Sequence, residues 1–141
     1  MATPDELRTS LAEARAKFRT SLENITANWE TAPQSGEGED SWSPQKVAEH
    51  AIGTEAFFTN ALCEACGYPG VEFERGATYA TPADAIVAFD AIVESTNKKL
   101  KYVSDTDLPK EHKSLGSSEK ILGIAAYHMS DHAAQIAAAG A

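Results

Sequence analysis

The amino-acid sequence predicts an all-α fold, a four-helix bundle formed by a single domain that spans residues 1–141. Three observations predict this fold. Apolar residues recur at steps of three and four in four separate segments, which is the periodicity of a helix with one buried face. Residues that favour helix starts and stops flank these segments. No segment shows the alternation of a strand, and the chain is long enough to bury one core.

The first two helices have clear starting signals. The first is predicted to begin at Thr3-Pro4, where an N-cap threonine precedes proline and Glu6 completes a capping box. Its apolar stripe continues to Trp29, so we expect this helix to run to about residue 30. Ser43-Pro44 begins the second helix, and Gly67 is expected to end it.

The third helix is predicted to begin at Thr81-Pro82, and the fourth begins at Ser117 or Ser118 and ends near Gly140. The connection before the third helix, from Gly67 to Ala80, is about 14 residues long and could extend over roughly 45 Å. A connection of that length can cross a whole bundle, so that the second and third helices point in the same direction.

The charge balance excludes several classes of partner. The chain has 12 basic and 21 acidic residues, which gives a net charge of −9. A surface this negative repels nucleic acid and anionic lipid, so we expect neither as a partner. The acidic N-terminal region does not resemble a signal peptide and no apolar run reaches the length of a membrane span. We therefore expect a cytoplasmic protein.

The two cysteines, Cys63 and Cys66, form a C-x-x-C pattern near the end of the second helix. A redox pair of this kind usually accompanies a βαβ unit, which is absent from the pattern, and a metal site would need two further ligands. His112 is the one histidine available for such a site. The pattern therefore favours two packing residues, about 20 Å along the helix from His50.

Three of the four histidines lie on apolar faces of predicted helices. His128 and His132 are four residues apart, so both imidazoles project from one face of the fourth helix, and His50 lies on the inward face of the second. Neutral imidazoles bind divalent metals, and three of them leave a position open for water or substrate. The alternative is three hydrogen-bonded core residues, although burial without partners costs several kcal/mol.

The depth of the histidines along their helices connects this site with the topology. His50 lies about 9 Å from the start of the second helix, and His132 lies about 10 Å from the end of the fourth. The side chains reach a common level if these two helices are antiparallel. We therefore predict an up-down-down-up order with the long crossover between helices 2 and 3.

Two motifs carry a resemblance to a known family. They are Trp42-Ser43-Pro44 followed by Val47 and His50, and the segment His128–His132 followed by Gln135-Ile136. With these motifs the whole chain resembles the DinB/YfiT-like superfamily of metalloenzymes. The resemblance implies an up-down-down-up bundle with a divalent metal on a histidine triad, which falls here on His50, His128 and His132. It implies zinc most directly, or nickel, and imidazole also suits iron and manganese.

The resemblance also implies an activity. Some members are thiol-dependent transferases or isomerases that use bacillithiol or mycothiol, and others are hydrolases. We therefore expect a metal that activates a low-molecular-weight thiol or a water against a small-molecule substrate, an electrophile. The sequence leaves open a non-catalytic, stress-related metal- or ligand-binding bundle, and a structural bundle that forms a homodimer. Metal content and turnover distinguish these alternatives.

Carboxylates that could act as a general base are less well defined. Glu49 and Asp131 neighbour the histidines in sequence but project about 100° away from them around their helices. Asp84 and Glu55 are alternatives of similar weight, so the sequence assigns no general base. Two polar residues share the helix faces of the histidines and could orient a ligand or a water: Thr54 and Gln135.

Overall fold

The computed structural model describes residues 2–141 and is mostly helical. Its helices are α1 (Pro4–Glu23), α2 (Pro44–Cys66), α3 (Pro82–Leu100) and α4 (Ser118–Ala139). A short 3-10 helix (Gly38–Ser41) precedes α2, and the strands β1 (Glu111–His112) and β2 (Gly116–Ser117) pair as an antiparallel hairpin before α4. The predicted four helices are confirmed, with this hairpin as an addition. Within the described part of the chain, none of the helices has the length and apolar character to cross a membrane.

The helices begin where the sequence predicts. In each helix the N-cap side chain accepts a hydrogen bond from the backbone N–H three residues further on: Thr3, Ser43, Thr81 and Ser117. Each bond satisfies a donor that the first turn of a helix leaves free. Glu6 completes the capping box of α1, and Gly67 ends α2 in a left-handed conformation with φ 78°.

The end of α1 differs from the prediction. The apolar stripe predicted a helix to about residue 30, but α1 ends at Glu23. Ile25 and Trp29 lie beyond the helix and still pack, half-buried, against the core. Between them Asn28 has a φ of 64°, which a right-handed helix does not contain. Two apolar residues with helical spacing are therefore held in the core by a turn instead of a helix.

The four helices enclose one interior. Helix α1 packs mainly against α3 and α4, and α2 also packs against α3 and α4, so α1 and α2 lie diagonally opposite each other. Two clusters of buried apolar side chains fill the space between them. In the first cluster the rings of Phe18 and Phe89 lie 4.8 Å apart. The same cluster includes Val47 and Met129, on the two helices that carry the histidines.

The connection between α2 and α3, residues 67–81, which we call the crossover after its predicted path, is fixed against α2. The side-chain amide of Asn60 accepts a hydrogen bond from the N–H of Val71 at 2.7 Å and donates one to its C=O at 3.1 Å. Near the other end of the crossover, Nε2 of Gln45 donates to the C=O of Tyr79 at 2.9 Å. These bonds satisfy backbone groups of a segment without regular structure and position it as a wall beside α2.

Candidate metal centre

Three histidines from two helices meet in the bundle. His50 of α2 lies opposite His128 and His132 of α4. Nε2 of His128 lies 3.3 Å from Nε2 of His50 and 3.1 Å from Nε2 of His132. One ring nitrogen from each residue lies within 4.8 Å of the other two. The predicted proximity of the three side chains is therefore confirmed.

The surroundings of His50 and His128 favour the neutral forms of these two imidazoles. His132 is fully buried, and His50 and His128 are half-buried. The ring of Trp42 packs edge-on against His50, and Phe58 packs against His128. Burial, reinforced by the neighbouring His132, lowers the pKa of His50, and burial with the two other histidines lowers the pKa of His128 to about 4. Both rings are therefore uncharged at neutral pH.

Hydrogen bonds determine which nitrogen of each α4 imidazole carries the proton. The amide nitrogen of Gln135 donates to the C=O of Glu39, so its Oε1 faces Nδ1 of His132 at 2.8 Å and accepts that proton. Thr54 donates its hydroxyl proton to the C=O of Ala51 and can accept from Nδ1 of His128 at 3.3 Å. With the protons on Nδ1, each Nε2 has a free lone pair.

These contacts match the orienting role that the sequence analysis considered for Thr54 and Gln135. Partners of this kind fix the tautomer and the ring orientation of metal-binding histidines in proteins. The free lone pairs of His128 and His132 are then only 3.1 Å apart, and Nε2 of His50 lies 3.3 Å from Nε2 of His128. A cation shared by the three nitrogens would remove the repulsion between lone pairs at this distance.

A carboxylate that the sequence analysis missed lies beside the histidines. Oε2 of Glu39, in the 3-10 helix, is 3.7 Å from Nε2 of His132. The C=O of Glu39 accepts the hydrogen bond from Gln135, whose Oε1 faces Nδ1 of His132. Glu39 is therefore linked to His132 directly at Nε2 and through Gln135 at Nδ1. No local pattern distinguishes Glu39 from the nearby Glu37 and Asp40, because the fold alone brings one of them to the site.

The carboxylates considered from the sequence lie elsewhere. Glu55 is buried and paired with Arg15, so it is engaged on another face of α2. Asp84 and Asp131 are exposed to solvent. Glu49 is half-buried and lines a cavity next to His50. Glu49 is therefore the one of these four that shares a cavity with a histidine of the site.

The two cysteines have surroundings typical of packing residues. Cys63 is buried, and burial raises the pKa of its thiol, so the thiol stays protonated at neutral pH. Sγ of Cys66 lies 3.4 Å from Oγ of Ser118. His112 lies 3.1 Å from the carboxylate of Glu64 and is not part of the histidine cluster.

A cavity of about 520 Å³ lies between α2 and the crossover. His50 and Thr54 form part of its lining, so the cavity reaches the histidine cluster. Its volume is within the range of pockets that bind small molecules. The arrangement therefore combines a candidate metal centre with room for a substrate.

Comparison of the chain with models of protein families, with curated proteins and with solved structures finds no match. The resemblance to the DinB/YfiT-like superfamily therefore stays a prediction from the motifs. The chemistry of the site is therefore the evidence for function, since a helical bundle by itself is compatible with many functions.

Proposed function

We propose that His50, His128 and His132 bind one divalent metal in a DinB-like enzyme that activates a thiol or a water against a small electrophile. The observation that carries this proposal is the convergence of the three Nε2 atoms. Two ligands of one tetrahedral zinc, each 2.0–2.1 Å from the metal, lie about 3.3 Å apart. Nε2 of His128 lies 3.3 and 3.1 Å from Nε2 of the other two histidines, so the donor set fits such an ion.

The donor set narrows the choice of metal without fixing it. Zinc is the leading candidate, and nickel, iron and manganese also accept imidazole ligands. Three protein ligands leave at least one position for another molecule, which is typical of catalytic sites. A metal in this position would polarise a bound group and lower the pKa of a bound water or thiol.

The side chains around the histidines have separate roles in this proposal. Gln135 and Thr54 hold the α4 imidazoles with Nε2 inward, and Trp42 and Phe58 cover ring faces and exclude water. Oε2 of Glu39 is the carboxylate oxygen placed to accept a proton from the group that is being activated. The cavity beside His50 admits the second reactant.

We also infer the up-down-down-up order of the helices, and contacts at both ends of α2 support it. Cys66, the last residue of α2, contacts Ser118, the first of α4, while His50 near the start of α2 meets His128 at the middle of α4 and His132 one turn later. These two contacts favour antiparallel helices. Gln45 in the first turn of α2 binds Tyr79, just before α3, which favours parallel α2 and α3.

Turnover by the zinc-loaded protein tests the enzymatic proposal. We expect conjugation of 1-chloro-2,4-dinitrobenzene with L-cysteine, or hydrolysis of a small ester, to be faster with zinc-loaded than with metal-free protein. Glu39→Gln should slow the reaction, because the amide cannot accept a proton. Glu37→Gln removes a glutamate from the same loop and should leave the rate unchanged.

The same assays address the non-catalytic alternative. A protein that binds zinc through the three histidines but accelerates neither reaction would favour a metal- or ligand-binding bundle without turnover. A rate that Glu39→Gln and Glu37→Gln reduce equally would contradict the role given to Glu39. Equal rates with and without metal would contradict the metal-dependent activity itself.

A further inference from the structure

The four arginines of the chain differ in their pairing. Three of them, all on α1, form ion pairs with carboxylates of the chain: Arg8 with Asp5, Arg15 with Glu55, and Arg19 with Asp90. The fourth, Arg75, has no carboxylate within ion-pair distance among residues 2–141. In a chain with 21 acidic and 12 basic residues, an arginine without a carboxylate partner is available to an external one.

Arg75 lies at the cavity that reaches the histidine cluster. It belongs to the crossover and lines the cavity of about 520 Å³ together with His50. No other arginine or lysine lines this cavity, so its guanidinium is the strongest hydrogen-bond donor there. A guanidinium binds a carboxylate through two parallel hydrogen bonds, which gives both affinity and orientation.

Aromatic side chains supply the rest of the wall. Phe57 of α2 and Phe73 and Tyr79 of the crossover line the cavity. The ring of Phe73 lies over Gly53 of α2, where a Cβ would be in ordinary van der Waals contact with it at 3.7 Å. Aromatic walls of this kind favour a ligand with a flat apolar body, and the polar groups of the cavity then fix the orientation of that ligand.

The cavity is held open by bonds that involve no ligand. Asn60 fixes Val71 of the crossover through two hydrogen bonds to its backbone, and Gln45 fixes Tyr79. Because the wall is fixed in advance, a ligand does not have to order the crossover when it binds, and this favours affinity.

We propose that this cavity binds a small organic carboxylate with a flat apolar body. The carboxylate pairs with Arg75, the body lies against Phe57 and Phe73, and the ligand has access to His50. Glu49 also lines the cavity, so a singly charged carboxylate is favoured over a doubly charged phosphate, which Glu49 repels more strongly. The proposal rests on the proposed function where it makes this ligand the substrate of the metal site; the binding itself requires no metal.

A second groove of the protein is an alternative binding site for the same ligand. It has a volume of about 730 Å³ and is lined by Tyr68, Tyr102, Lys98 and Lys99. An aromatic anion could also contact two tyrosines and two ammonium groups. However, Lys98 is paired with Glu94 at 3.8 Å, and ammonium groups give no bidentate contact with a carboxylate. The test therefore has to locate the ligand as well as measure its affinity.

The experiment is an NMR titration of the full chain with 3-phenylpropanoate, using backbone amide shifts. We expect a dissociation constant of about 1 mM or lower, with shifts in the crossover and in the α2 residues that line the cavity. The neutral 3-phenylpropanamide should bind at least about tenfold more weakly. Arg75→Gln should remove this preference, whereas Lys17→Gln, which removes one positive charge from the exposed face of α1, should preserve it.

Several results would overturn the proposal. The role of Arg75 would be wrong if the acid and the amide bound with equal affinity, or if Arg75→Gln kept the preference for the acid. Tighter binding of phenyl phosphate than of 3-phenylpropanoate would contradict the proposed ligand class, and amide shifts centred on Tyr68 and Tyr102 would place the ligand in the second groove. Absence of binding up to about 10 mM would contradict the proposal as a whole. The titration is run on metal-free and zinc-incubated protein with zinc content measured in parallel. Carboxylate binding by a protein that takes up no zinc would contradict only the proposed function. Zinc uptake without carboxylate binding would contradict only the cavity proposal.

Discussion

Two polar clusters lie between the helices, and they differ in how their groups are satisfied. The first joins three helices: the guanidinium of Arg15 pairs with Glu55 and donates hydrogen bonds to Thr96 and Asn97 at 3.0 and 2.6 Å. Thr96 in turn donates to Glu55 at 3.1 Å. The charges balance, and Nε of Arg15 is the one buried nitrogen of this cluster without a hydrogen-bond partner.

In the second cluster, formed by the three histidines, the polar partners outside the cluster lie at Nδ1 of the two α4 imidazoles. Nδ1 of His132 and Nδ1 of His128 have hydrogen-bond partners, but the Nε2 atoms face one another. An acidic side chain, Glu39, lies beside them. A polar cluster between helices can therefore be complete by itself, as that of Arg15 and Glu55 is, or have nitrogens placed for a shared ligand, as the three histidines have.

The largest expected effect concerns the first cluster. Glu55→Ala leaves the Arg15 charge buried without its partner, so the free energy of unfolding of the metal-free protein should fall by about 3–5 kcal/mol. Urea denaturation measures this change. The double variant Arg15→Met with Glu55→Leu should regain most of the loss, because no unpaired charge remains. A loss below about 1 kcal/mol in Glu55→Ala would mean that the pair is not effectively buried.

Metal binding at the second cluster should stabilise the folded protein by less than Glu55→Ala destabilises it. Zinc at 100 times its dissociation constant should add about 2.7 kcal/mol to the free energy of unfolding and raise the melting temperature by several degrees. The metal-free protein should keep its helical circular dichroism, since the apolar core is complete without metal. His132→Ala should lose the zinc effect. A random-coil spectrum without metal, or the same zinc effect in His132→Ala, would contradict this.

The histidines should also make the metal-free protein sensitive to acid. The pKa of His128 is lowered to about 4 from 6.5, mainly by burial and then by its histidine neighbours. Between these two values the unfolded chain binds more protons than the folded protein, so the free energy of unfolding falls as the pH falls, by about 1–2 kcal/mol after allowance for solvent screening.

Urea denaturation from pH 7 to pH 4 measures this slope. His128→Phe should flatten it, because the group that takes up the proton on unfolding is gone. His112→Ala, which removes a histidine outside the cluster, should leave this part of the slope unchanged. A free energy of unfolding that rises as the pH falls through this range would contradict the prediction.

The smallest expected effect concerns the orientation of a single ring. Gln135→Leu removes the acceptor of the Nδ1 proton of His132 and the donor to the C=O of Glu39. The dissociation constant for zinc should rise about tenfold, as is typical when an orienting partner is lost. Competition with a fluorescent zinc chelator measures the change. Gln34→Leu, at an exposed loop glutamine, is the matched control, and equal effects of the two variants would contradict the role of Gln135.

The parts of the site that lie on helices could be predicted from the sequence. The spacing of His128 and His132 and the depth of His50 predicted their proximity, because rise and rotation per residue are fixed in a helix. The residues that cap the helix starts were also predicted, since their signals are local. The predicted end of α1 was too far along the chain, because Ile25 and Trp29 have helical spacing but lie in a turn after the helix. Their contacts with the core explain why both positions are apolar.

The parts that lie on connections could not be predicted. Glu39 reaches the site through the bond between its C=O and Gln135, 96 residues later in the chain. Arg75 reaches the cavity because Asn60 fixes the crossover against α2. Neither position has a period or a motif, so only the folded chain distinguishes these residues from other exposed charges.

Metal stoichiometry is the most direct test of the histidine site. Protein prepared without a histidine tag is incubated with excess Zn²⁺ or Ni²⁺, freed of unbound metal and measured by native mass spectrometry with elemental analysis. We expect one metal per wild-type chain, none in His50→Ala, His128→Ala or His132→Ala, and one in His112→Ala. A wild-type chain that stays metal-free with both ions, or a metal that is lost in His112→Ala, would contradict this expectation.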